Sequence, residues 1–375
     1  MLKKAVILAA GRGTRLQPLT YDLPKPMIPL LGKPVMEHIV EHLARQGVRE
    51  IMVNISHMAE QIERYFGDGR RFGVRIGYSF EGWLDGGQLT PAPVGSAGAL
   101  RKIHDFGGFI DETTAVLCGD AVIDLDLQLA YRLHRQQGAA ATVVTKAVAE
   151  HEVSNYGIVV ARPDGRVVSF QEKPRPEQAL SLMASTGIYF VEPSLLPLIP
   201  ADRPYDIGSE LFPDLVRRGL PFFQQCHDFE WLDIGRVSDY WRIVQRLMRG
   251  GVAGISLPGR EAREGVHTGL NVDVDWSSLR CKGPVYIGSG TRIEPGCTLN
   301  GPVWIGNGCR IEAGAHIERS VVFDYAHVGA NATARELIVS GRYCVHHDGA
   351  EAAAQLVHWR GDARQREHET RVVGA

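Results

Sequence analysis

Residues 5–26 read AVILAAGRGTRLQPLTYDLPKP, and this stretch decides the first part of the fold. Its first five residues are continuously apolar, which is typical of a parallel strand covered on both faces. A glycine-rich loop then leaves the carboxyl end of that strand, where open α/β sheets place their ligands. Gly11 and Gly13 allow positive φ and close backbone approach, so several N–H groups can point at one anion. Arg15 and Lys25 add two positive charges to this predicted phosphate-binding loop.

The composition is that of an ordinary globular protein, with 44% apolar and 22% charged residues among 375. A net charge of −2 gives no electrostatic footprint for nucleic acid, and no segment approaches the ~18 apolar residues that span a membrane. Because residues 1–4 run directly into the first predicted strand, we expect no signal peptide. Six cysteines without a Cys-x-x-Cys pair argue against a zinc site. We therefore expect a cytoplasmic protein with reduced thiols and with no nucleic-acid or membrane partner.

Residues 1–250 alternate strand and helix patterns, which predicts an α/β fold with a doubly wound, mostly parallel, Rossmann-like sheet. Later strands are predicted at 48–55, 74–80, 115–118, 140–147, 158–161 and 167–171, and helices at 34–46, 58–66 and 126–137. Asp164-Gly165 separates the last two strands and is a strong hairpin signal.

An internal repeat marks the second region. Residues 283–300 align without gaps on residues 301–318, and ten of the 18 paired positions are identical. An aliphatic residue recurs at every sixth position, at Ile287, Ile293, Leu299, Ile305, Ile311 and Ile317, and Phe323 continues the row. This spacing predicts a parallel β-helix domain at 277–345. Residues 251–276 are predicted to be a linker and residues 346–375 a charged tail.

Two carboxylates stand out in apolar surroundings. Asp120 follows an apolar run at the carboxyl end of a predicted central strand, and Asp233 interrupts a second apolar segment. Buried carboxylates need a partner or a metal. In phosphate chemistry Mg²⁺ is held by one or two carboxylates plus substrate oxygens. We predict that Asp120 and Asp233 hold Mg²⁺, the alternative being that each caps a helix or turn.

The glycine-rich loop with Arg15 and the clamp Pro24-Lys25-Pro26 resembles the signature of the sugar-1-phosphate nucleotidyltransferases. Glu172-Lys173-Pro174 resembles a second motif of that family, and the likeness covers nearly the whole chain. The resemblance implies that the β-helix is left-handed. Within the family, the opening Leu8–Gly11 looks most like that of mannose-1-phosphate guanylyltransferases.

The resemblance implies a role for each matching residue. It implies that the catalytic residues are Arg15, Lys25, Asp120 and Lys173. It implies nucleotide contacts from Leu8, Ala10, Gly11, Gly13, Thr14, Arg15, Lys25, Ser96 and Gly98. It implies sugar-phosphate contacts from Asn155, Gly157, Glu172, Lys173 and Thr186. The chain departs from the family in a longer segment at 82–93, in Ser185-Thr186 where relatives have Asn-Ala, and in Cys118 where they have Asn.

The implied reaction joins an NTP and a sugar 1-phosphate into an NDP-sugar and pyrophosphate, and its leading form makes GDP-mannose from GTP and mannose 1-phosphate. Thymidylyl- and uridylyltransferases acting on glucose 1-phosphate share the same residues and are the alternative. A regulatory or scaffold homologue without turnover is a second alternative, and an acyltransferase β-helix is a third. Because no acyl-CoA motif accompanies the histidines of the β-helix, we expect this domain to mediate assembly into a homo-oligomer.

Overall fold

The structure, a computed structural model, describes residues 1–85 and 88–352 and divides into two compact units. The first unit comprises residues 1–14, 19–29 and 33–233, and the second comprises residues 15–18, 30–32 and 234 onward. The predicted tail lies outside the described residues from position 353.

The first unit is built on a mixed β-sheet. Its strands are Lys4–Leu8, Glu50–Ile55, Arg75–Phe80, Thr114–Cys118, Ala141–Ala147, Gly157–Ala161, Val167–Glu172, Met183–Val191 and Phe222–Cys226. The helices are α1 Val35–Arg45, α2 Ala59–Phe66, α3 Ser96–Gly107, α4 Leu127–Gln136 and α5 Phe212–Arg217. Asp126 caps α4, since its carboxylate accepts a hydrogen bond from Leu129 N–H at 2.8 Å.

The first strand lies between Glu50–Ile55 and Thr114–Cys118 and is parallel to both. Its side chains alternate between two hydrophobic clusters, with Ile7 in one and Val6 in the other, and both residues are fully buried. This double covering explains the continuous apolar run in the sequence. The predicted Rossmann-like sheet is confirmed.

The other half of the sheet is largely antiparallel. Met183–Val191 is antiparallel to Thr114–Cys118, and the hairpin Gly157–Ala161 with Val167–Glu172 completes that edge. The hairpin turns at Asp164-Gly165, as the sequence predicts, and Gly165 has a φ of +85°.

The second unit is a parallel β-helix with one further helix, α6 Val237–Met248. Within the described part of the chain its strands form three parallel sheets. The first sheet contains Val266–Thr268, Val285–Ile287, Val303–Ile305, Val321–Val322 and Leu337–Val339, flanked by antiparallel Arg260–Arg263 and Cys344–His346. The second contains Asp273–Val274, Arg292–Ile293, Arg310–Ile311 and His327–Val328, and the third contains Arg280–Lys282, Thr298–Asn300, His316–Glu318 and Thr333–Arg335.

The coils begin earlier than the sequence indicates. Val266–Thr268 and Asp273–Val274 already pair in register with the next coil, so the segment 251–276 is more than a linker. The division into compact units likewise falls between Asp233 and Ile234, whereas the sequence predicts a boundary at 250.

The predicted aliphatic row is confirmed from Ile287 to Ile317, because each member is buried and stacks on its counterpart one coil away. Its continuation at Phe323 is wrong. Ile305 pairs with Val322, which is fully buried, while Phe323 is only half-buried. The corner between Ile317 and Val322 is one residue shorter than its predecessor, and Arg319 adopts a φ of +47° there.

Helix α6 packs on the coils within the second unit. Trp241 Nε1 donates a hydrogen bond to the Arg319 carbonyl at 2.8 Å, and the Tyr240 ring lies 6.0 Å from the Phe323 ring. Both α6 side chains are at least nine-tenths buried. This packing explains why α6 belongs to the second unit.

Candidate active site

The loop after the first strand is anchored by its backbone. Ala9 N–H donates to the Asn54 carbonyl at 2.9 Å, and Gly119 N–H donates to the Leu8 carbonyl at 2.9 Å. Beyond this point the chain turns outward, and Gly11 is exposed with open space around it. The predicted nucleotide-binding residues of the loop lie at this open edge, half-buried at Leu8, Ala10 and Gly13 and exposed at Gly11 and Thr14.

Lys25 lies against this loop. It begins the one-turn helix Lys25–Met27, and a Cβ added at Gly13 would come within 2.9 Å of the Lys25 Cβ. Thr20 Oγ1 donates to the Gly13 carbonyl at 2.9 Å and fixes the same turn. A glycine at position 13 therefore allows the lysine stem to approach the loop backbone.

Lys25 and Asp120 form an ion pair whose two side chains are only 14% and 24% exposed. Burial alone lowers the pKa of Lys25, but the charges of Asp120 and Asp233 together with the hydrogen bond to Asp120 raise it above its ordinary value. The lysine is therefore charged at neutral pH. The sequence did not predict this pair, because the two residues are far apart in the chain.

A short antiparallel ribbon brings the two predicted metal ligands together. Ala121–Ile123 pairs with Trp231–Asp233, and Asp233 lies opposite Ala121, next to Asp120. Among residues 1–85 and 88–352, no group of three or more His, Cys, Asp or Glu side chains could hold a metal ion. Two carboxylates with hard oxygen donors fit Mg²⁺, which keeps waters and takes further ligands from substrate phosphates. This donor set is compatible with the predicted magnesium site.

Glu172 and Lys173 lie at the end of a strand in the antiparallel half. Lys173 Nζ donates to Glu172 Oε1 at 2.7 Å, and Lys173 has a φ of +47°. Gly157 is the register partner of Glu172, and Lys173 N–H donates to the Tyr156 carbonyl at 3.1 Å. Both charged side chains are exposed, so they can reach a substrate.

The remaining predicted sugar contacts differ in accessibility. Asn155 is half-buried at the end of a short helix, Glu150–Asn155. Thr186 is buried, and its hydroxyl donates to the Val144 carbonyl at 2.9 Å, which does not support a side-chain contact with a sugar. Next to it, a Cβ at Gly187 would approach Cys118 Sγ to 2.7 Å. Burial, followed by the charges of Asp120 and Asp233, raises the pKa of the Cys118 thiol and keeps it protonated.

Ser96 and Gly98, which are predicted to contact the nucleotide, donate hydrogen bonds to another segment of the protein. Ser96 Oγ donates to Asp206 Oδ2 at 2.7 Å, and Ala97 and Gly98 N–H both donate to the Tyr205 carbonyl at 2.9 Å. The first turn of α3 is therefore tied to residues 205–206. The direct contacts of Ser96 and Gly98 with a nucleotide stay predictions.

Sequence reasoning also missed a buried polar pair beside the loop. Asn54 Nδ2 donates to Glu81 Oε1 at 2.6 Å, and Val94 N–H donates to Glu81 Oε2 at 3.3 Å. Both side chains are at least 95% buried. A lone asparagine inside the apolar strand Glu50–Ile55 was the available signal, because a polar residue in such a run needs a partner. Glu81 directly precedes the 82–93 segment, in which Gly82–Asp85 pairs antiparallel with Gln88–Pro91.

Arg15 lies in the one-turn helix Thr14–Leu16 and is exposed, whereas Leu16 is fully buried. Residues 15–18 belong to the second unit. The role of Arg15 toward the phosphates of an NTP stays a prediction. Across the described ranges, no helix is long and apolar enough to cross a membrane.

Two family models match this chain. Residues 4–250 match the family described as Nucleotidyl transferase, and residues 281–349 match the GMPPB C-terminal domain. A UTP–glucose-1-phosphate uridylyltransferase from Synechocystis sp. is 51% identical over 352 residues, which is 94% of this chain and 91% of that protein.

Two mannose-specific relatives are more distant. The mannose-1-phosphate guanylyltransferase catalytic subunit beta of Danio rerio is 34% identical over 239 residues, 63% of this chain and 62% of that protein. A mannose-1-phosphate guanylyltransferase of Mycobacterium tuberculosis is 31% identical over 297 residues, 79% of this chain and 78% of that protein.

A solved structure shares the fold. It is that of a proposed glucose-1-phosphate thymidylyltransferase from Bacillus anthracis in complex with sucrose, with a TM-score of 0.55 and 24% identity. The match covers 64% of this chain and 94% of that one.

Proposed function

This chain belongs to the nucleotidyl transferase family and is a sugar-1-phosphate nucleotidyltransferase, and from that premise we propose that it makes UDP-glucose and pyrophosphate from UTP and glucose 1-phosphate. The observation that carries the choice of substrates is the likeness to the uridylyltransferase of Synechocystis sp., which spans both domains at 51% identity. The guanylyltransferase of Danio rerio is aligned over a shorter part of the chain at 34% identity.

The second candidate is the reaction of GTP with mannose 1-phosphate, which the sequence motifs favour. The match of residues 281–349 to the GMPPB C-terminal domain also supports it. Both candidates use the same phosphate chemistry and differ in the base and the sugar.

The proposed chemistry needs no protein nucleophile. A phosphate oxygen of the sugar 1-phosphate attacks the α-phosphorus of the NTP, the bond from that phosphorus to the β-phosphate oxygen breaks, and pyrophosphate leaves with the bonding electrons. Lys173 holds the incoming phosphate, while Lys25 and Arg15 balance the charge that grows on the leaving pyrophosphate. Glu172 accepts hydrogen bonds from sugar hydroxyls. Mg²⁺, held by Asp120 and Asp233, would neutralise charge on the α-phosphate.

Lys25 has a second task in this scheme. In the structure its ammonium group pairs with Asp120, whose carboxylate is thereby kept in place for the metal. The raised pKa of Lys25 keeps the charge available when phosphates enter. We infer that Lys25 orients Asp120 and also contacts the NTP.

The experiment is a matrix of UTP, dTTP, GTP and ATP against glucose 1-phosphate and mannose 1-phosphate, following pyrophosphate release in the presence of Mg²⁺. We expect kcat/KM for UTP with glucose 1-phosphate to exceed every other combination by at least about tenfold, which corresponds to about 1.4 kcal/mol of discrimination. A maximum at GTP with mannose 1-phosphate would establish the second candidate. No pyrophosphate release in any combination would favour a scaffold homologue. The Asp120→Asn protein, purified in the same way, measures the pyrophosphate release that comes from contaminating enzymes.

A further inference from the structure

The segment Tyr205–Ser209 has no assigned role, although it contacts both predicted halves of the site. On one side the Tyr205 carbonyl accepts the N–H groups of Ala97 and Gly98, and Tyr205 N–H donates to the Val94 carbonyl at 2.9 Å. Gly95 has a φ of +78°, and a Cβ added there would come within 2.5 Å of the Tyr205 oxygen. The turn that begins α3 is thus pressed directly against this segment.

The two oxygens of the Asp206 carboxylate accept hydrogen bonds from different parts of the chain. Oδ2 accepts the hydroxyl proton of Ser96 at 2.7 Å. Oδ1 accepts Gly208 N–H and Ser209 N–H, both at 2.9 Å, and the Ser209 hydroxyl at 3.1 Å. Burial by itself raises the pKa of Asp206, but these hydrogen bonds outweigh it and hold the pKa below its usual range. The carboxylate is therefore ionised at neutral pH and accepts from all four donors.

On the other side the segment touches Glu172. A Cβ added at Gly208 would come within 2.6 Å of Glu172 Oε2 and within 3.3 Å of the Phe170 ring. A Cβ at Gly157 would meet the same oxygen at 3.2 Å. Glu172 Oε2 therefore rests against the backbone of Gly208, whose N–H group is held by Asp206.

We propose that Asp206 is a positioning residue that couples the nucleotide side of the site, through Ser96 and the start of α3, to the sugar side, through Gly208 and Glu172. The proposal rests on the proposed function, because it uses the two substrate subsites named there. Four donors already approach the carboxylate, about as many as it can accept. Groups within the protein thus use the hydrogen bonds that the Asp206 carboxylate can accept, which argues against Asp206 as a direct ligand of a sugar hydroxyl.

Two substitutions at position 206 separate the two links. We call the link to Ser96 the nucleotide arm and the link to Gly208 and Ser209 the sugar arm. Asp206→Asn keeps an oxygen for Gly208 and Ser209 but replaces the charged acceptor of the Ser96 hydroxyl with an amide NH₂ group. Ser96 Oγ already accepts Ile207 N–H at 2.8 Å, so this change weakens the nucleotide arm and spares the other. Asp206→Ala removes both arms. The matched control is Asp202→Asn, the same chemical change at an exposed position four residues earlier.

The experiment measures KM for each substrate with the NTP and sugar 1-phosphate that the unmodified protein turns over, so a wrong assignment of base or sugar leaves the test valid. We expect Asp206→Asn to raise KM for the NTP about five- to tenfold, the size of one typical net hydrogen bond, and to change KM for the sugar 1-phosphate less than about twofold. We expect Asp206→Ala to raise both values, and Ser96→Ala to reproduce the Asn result.

Two outcomes overturn the proposal. If Asp206→Asn raises KM for the sugar 1-phosphate alone, the carboxylate is a sugar ligand. If it leaves both KM values at those of Asp202→Asn, the nucleotide arm does not exist. Thermal unfolding of each variant shows whether it is folded, and if Asp206→Ala does not fold, the Asn variant decides the question by itself.

Discussion

The sheet edge of the first unit and the coils of the second show two ways in which one chain uses buried space. At the sheet edge, polar side chains lie among apolar strands and bond to one another, as in the pairs Lys25–Asp120 and Asn54–Glu81. In the coils the interior is a stack of aliphatic residues, each paired with its counterpart one coil away. A polar residue that interrupts an apolar pattern therefore points to function, and an unbroken pattern points to support.

Energetics separate the two regions in the same way. A charge-assisted pair contributes little net stability when half-buried, but losing one partner leaves the other uncompensated. A stacked aliphatic residue contributes through burial alone, and its loss leaves a cavity. Substitutions at the sheet edge should therefore affect turnover, and substitutions in the coils should affect stability.

The largest effect is expected at the carboxylate ribbon. Asp120→Asn and Asp233→Asn should each lower kcat by roughly a hundredfold or more, the size measured for loss of one preorganised electrostatic group. Turnover is measured at saturating substrates over a range of Mg²⁺ concentrations. Asp124→Asn is the control, because Asp124 directly follows the ribbon strand Ala121–Ile123 and accepts a hydrogen bond from Glu230 N–H that an amide oxygen can also accept. A near-normal kcat in either variant would reject that residue as a ligand.

The coils give the converse case. Ile305 is fully buried between Ile287 and Val322, so Ile305→Ala should reduce the free energy of unfolding by about 2–5 kcal/mol while both KM values stay near those of the unmodified protein. Denaturant unfolding and steady-state kinetics check it. Arg292→Ala, on the exposed face, should change stability by less than about 0.5 kcal/mol. A folded Ile305→Ala protein with a greatly altered KM would break the separation between support and function.

The two lysines sharpen the comparison within the first unit. Lys173→Ala should raise KM for the sugar 1-phosphate roughly tenfold to a hundredfold and leave KM for the NTP nearly unchanged, because Lys173 is exposed and the proposed mechanism assigns its ammonium group to the sugar 1-phosphate alone. Lys25→Ala should raise KM for the NTP and also lower kcat. The substitution removes the positive charge proposed to balance the leaving pyrophosphate, and it removes the ion-pair partner of Asp120. Varying each substrate in turn gives the four values. Equal shifts of both KM values in both variants would contradict separate subsites.

The smallest effect concerns pH. His134 is fully buried with Glu192 Oε1 at 3.1 Å and Thr142 Oγ1 at 2.7 Å. Burial lowers the pKa of His134, although Glu192 opposes this. Because the folded pKa lies below the unfolded value of about 6.5, the stability from neutral His134 is present above that pH and is lost as the pH falls. Urea unfolding from pH 7.5 to pH 5 should show a decline that is shallower in His134→Gln.

His42 provides a check on that assignment. It is buried, its Nε2 lies 2.9 Å from the Leu125 carbonyl, and burial lowers its pKa as well. His42→Gln should flatten the same part of the pH profile, and the double variant should flatten it further. A decline of unchanged slope in His134→Gln would show that other groups cause it.

The sequence predicts those parts of the molecule that depend on local periodicity. The apolar run of the first strand, the Asp164-Gly165 hairpin and the row from Ile287 to Ile317 all follow from spacing, and the structure confirms them. The prediction that Phe323 continues the row was wrong because the corner after Ile317 is one residue shorter than the corner before it. Val322 and Phe323 are adjacent and both apolar, so the pattern alone could not choose between them.

The candidate site was predictable only in its separate parts. Lys25 and Asp120 are each recognisable from their motifs, but their pairing joins residues 95 positions apart, and no local pattern encodes it. The contact of Ser96 with Asp206 spans 110 positions. Strand direction is likewise absent from a periodic pattern, so apart from the Asp164-Gly165 hairpin the antiparallel half of the sheet was not predicted, including the pairing of Met183–Val191 with Thr114–Cys118.

The packing of α6 has a consequence for exchanging domains between relatives. The family match ends at residue 250, but Tyr240 and Trp241 are covered by the coils that follow. A chimera joined after residue 250 would take α6 from one parent and the coils that cover it from the other, so their apolar surfaces would not be matched. A junction placed between Asp233 and Ile234 keeps helix and coils from the same parent and leaves the carboxylate ribbon whole.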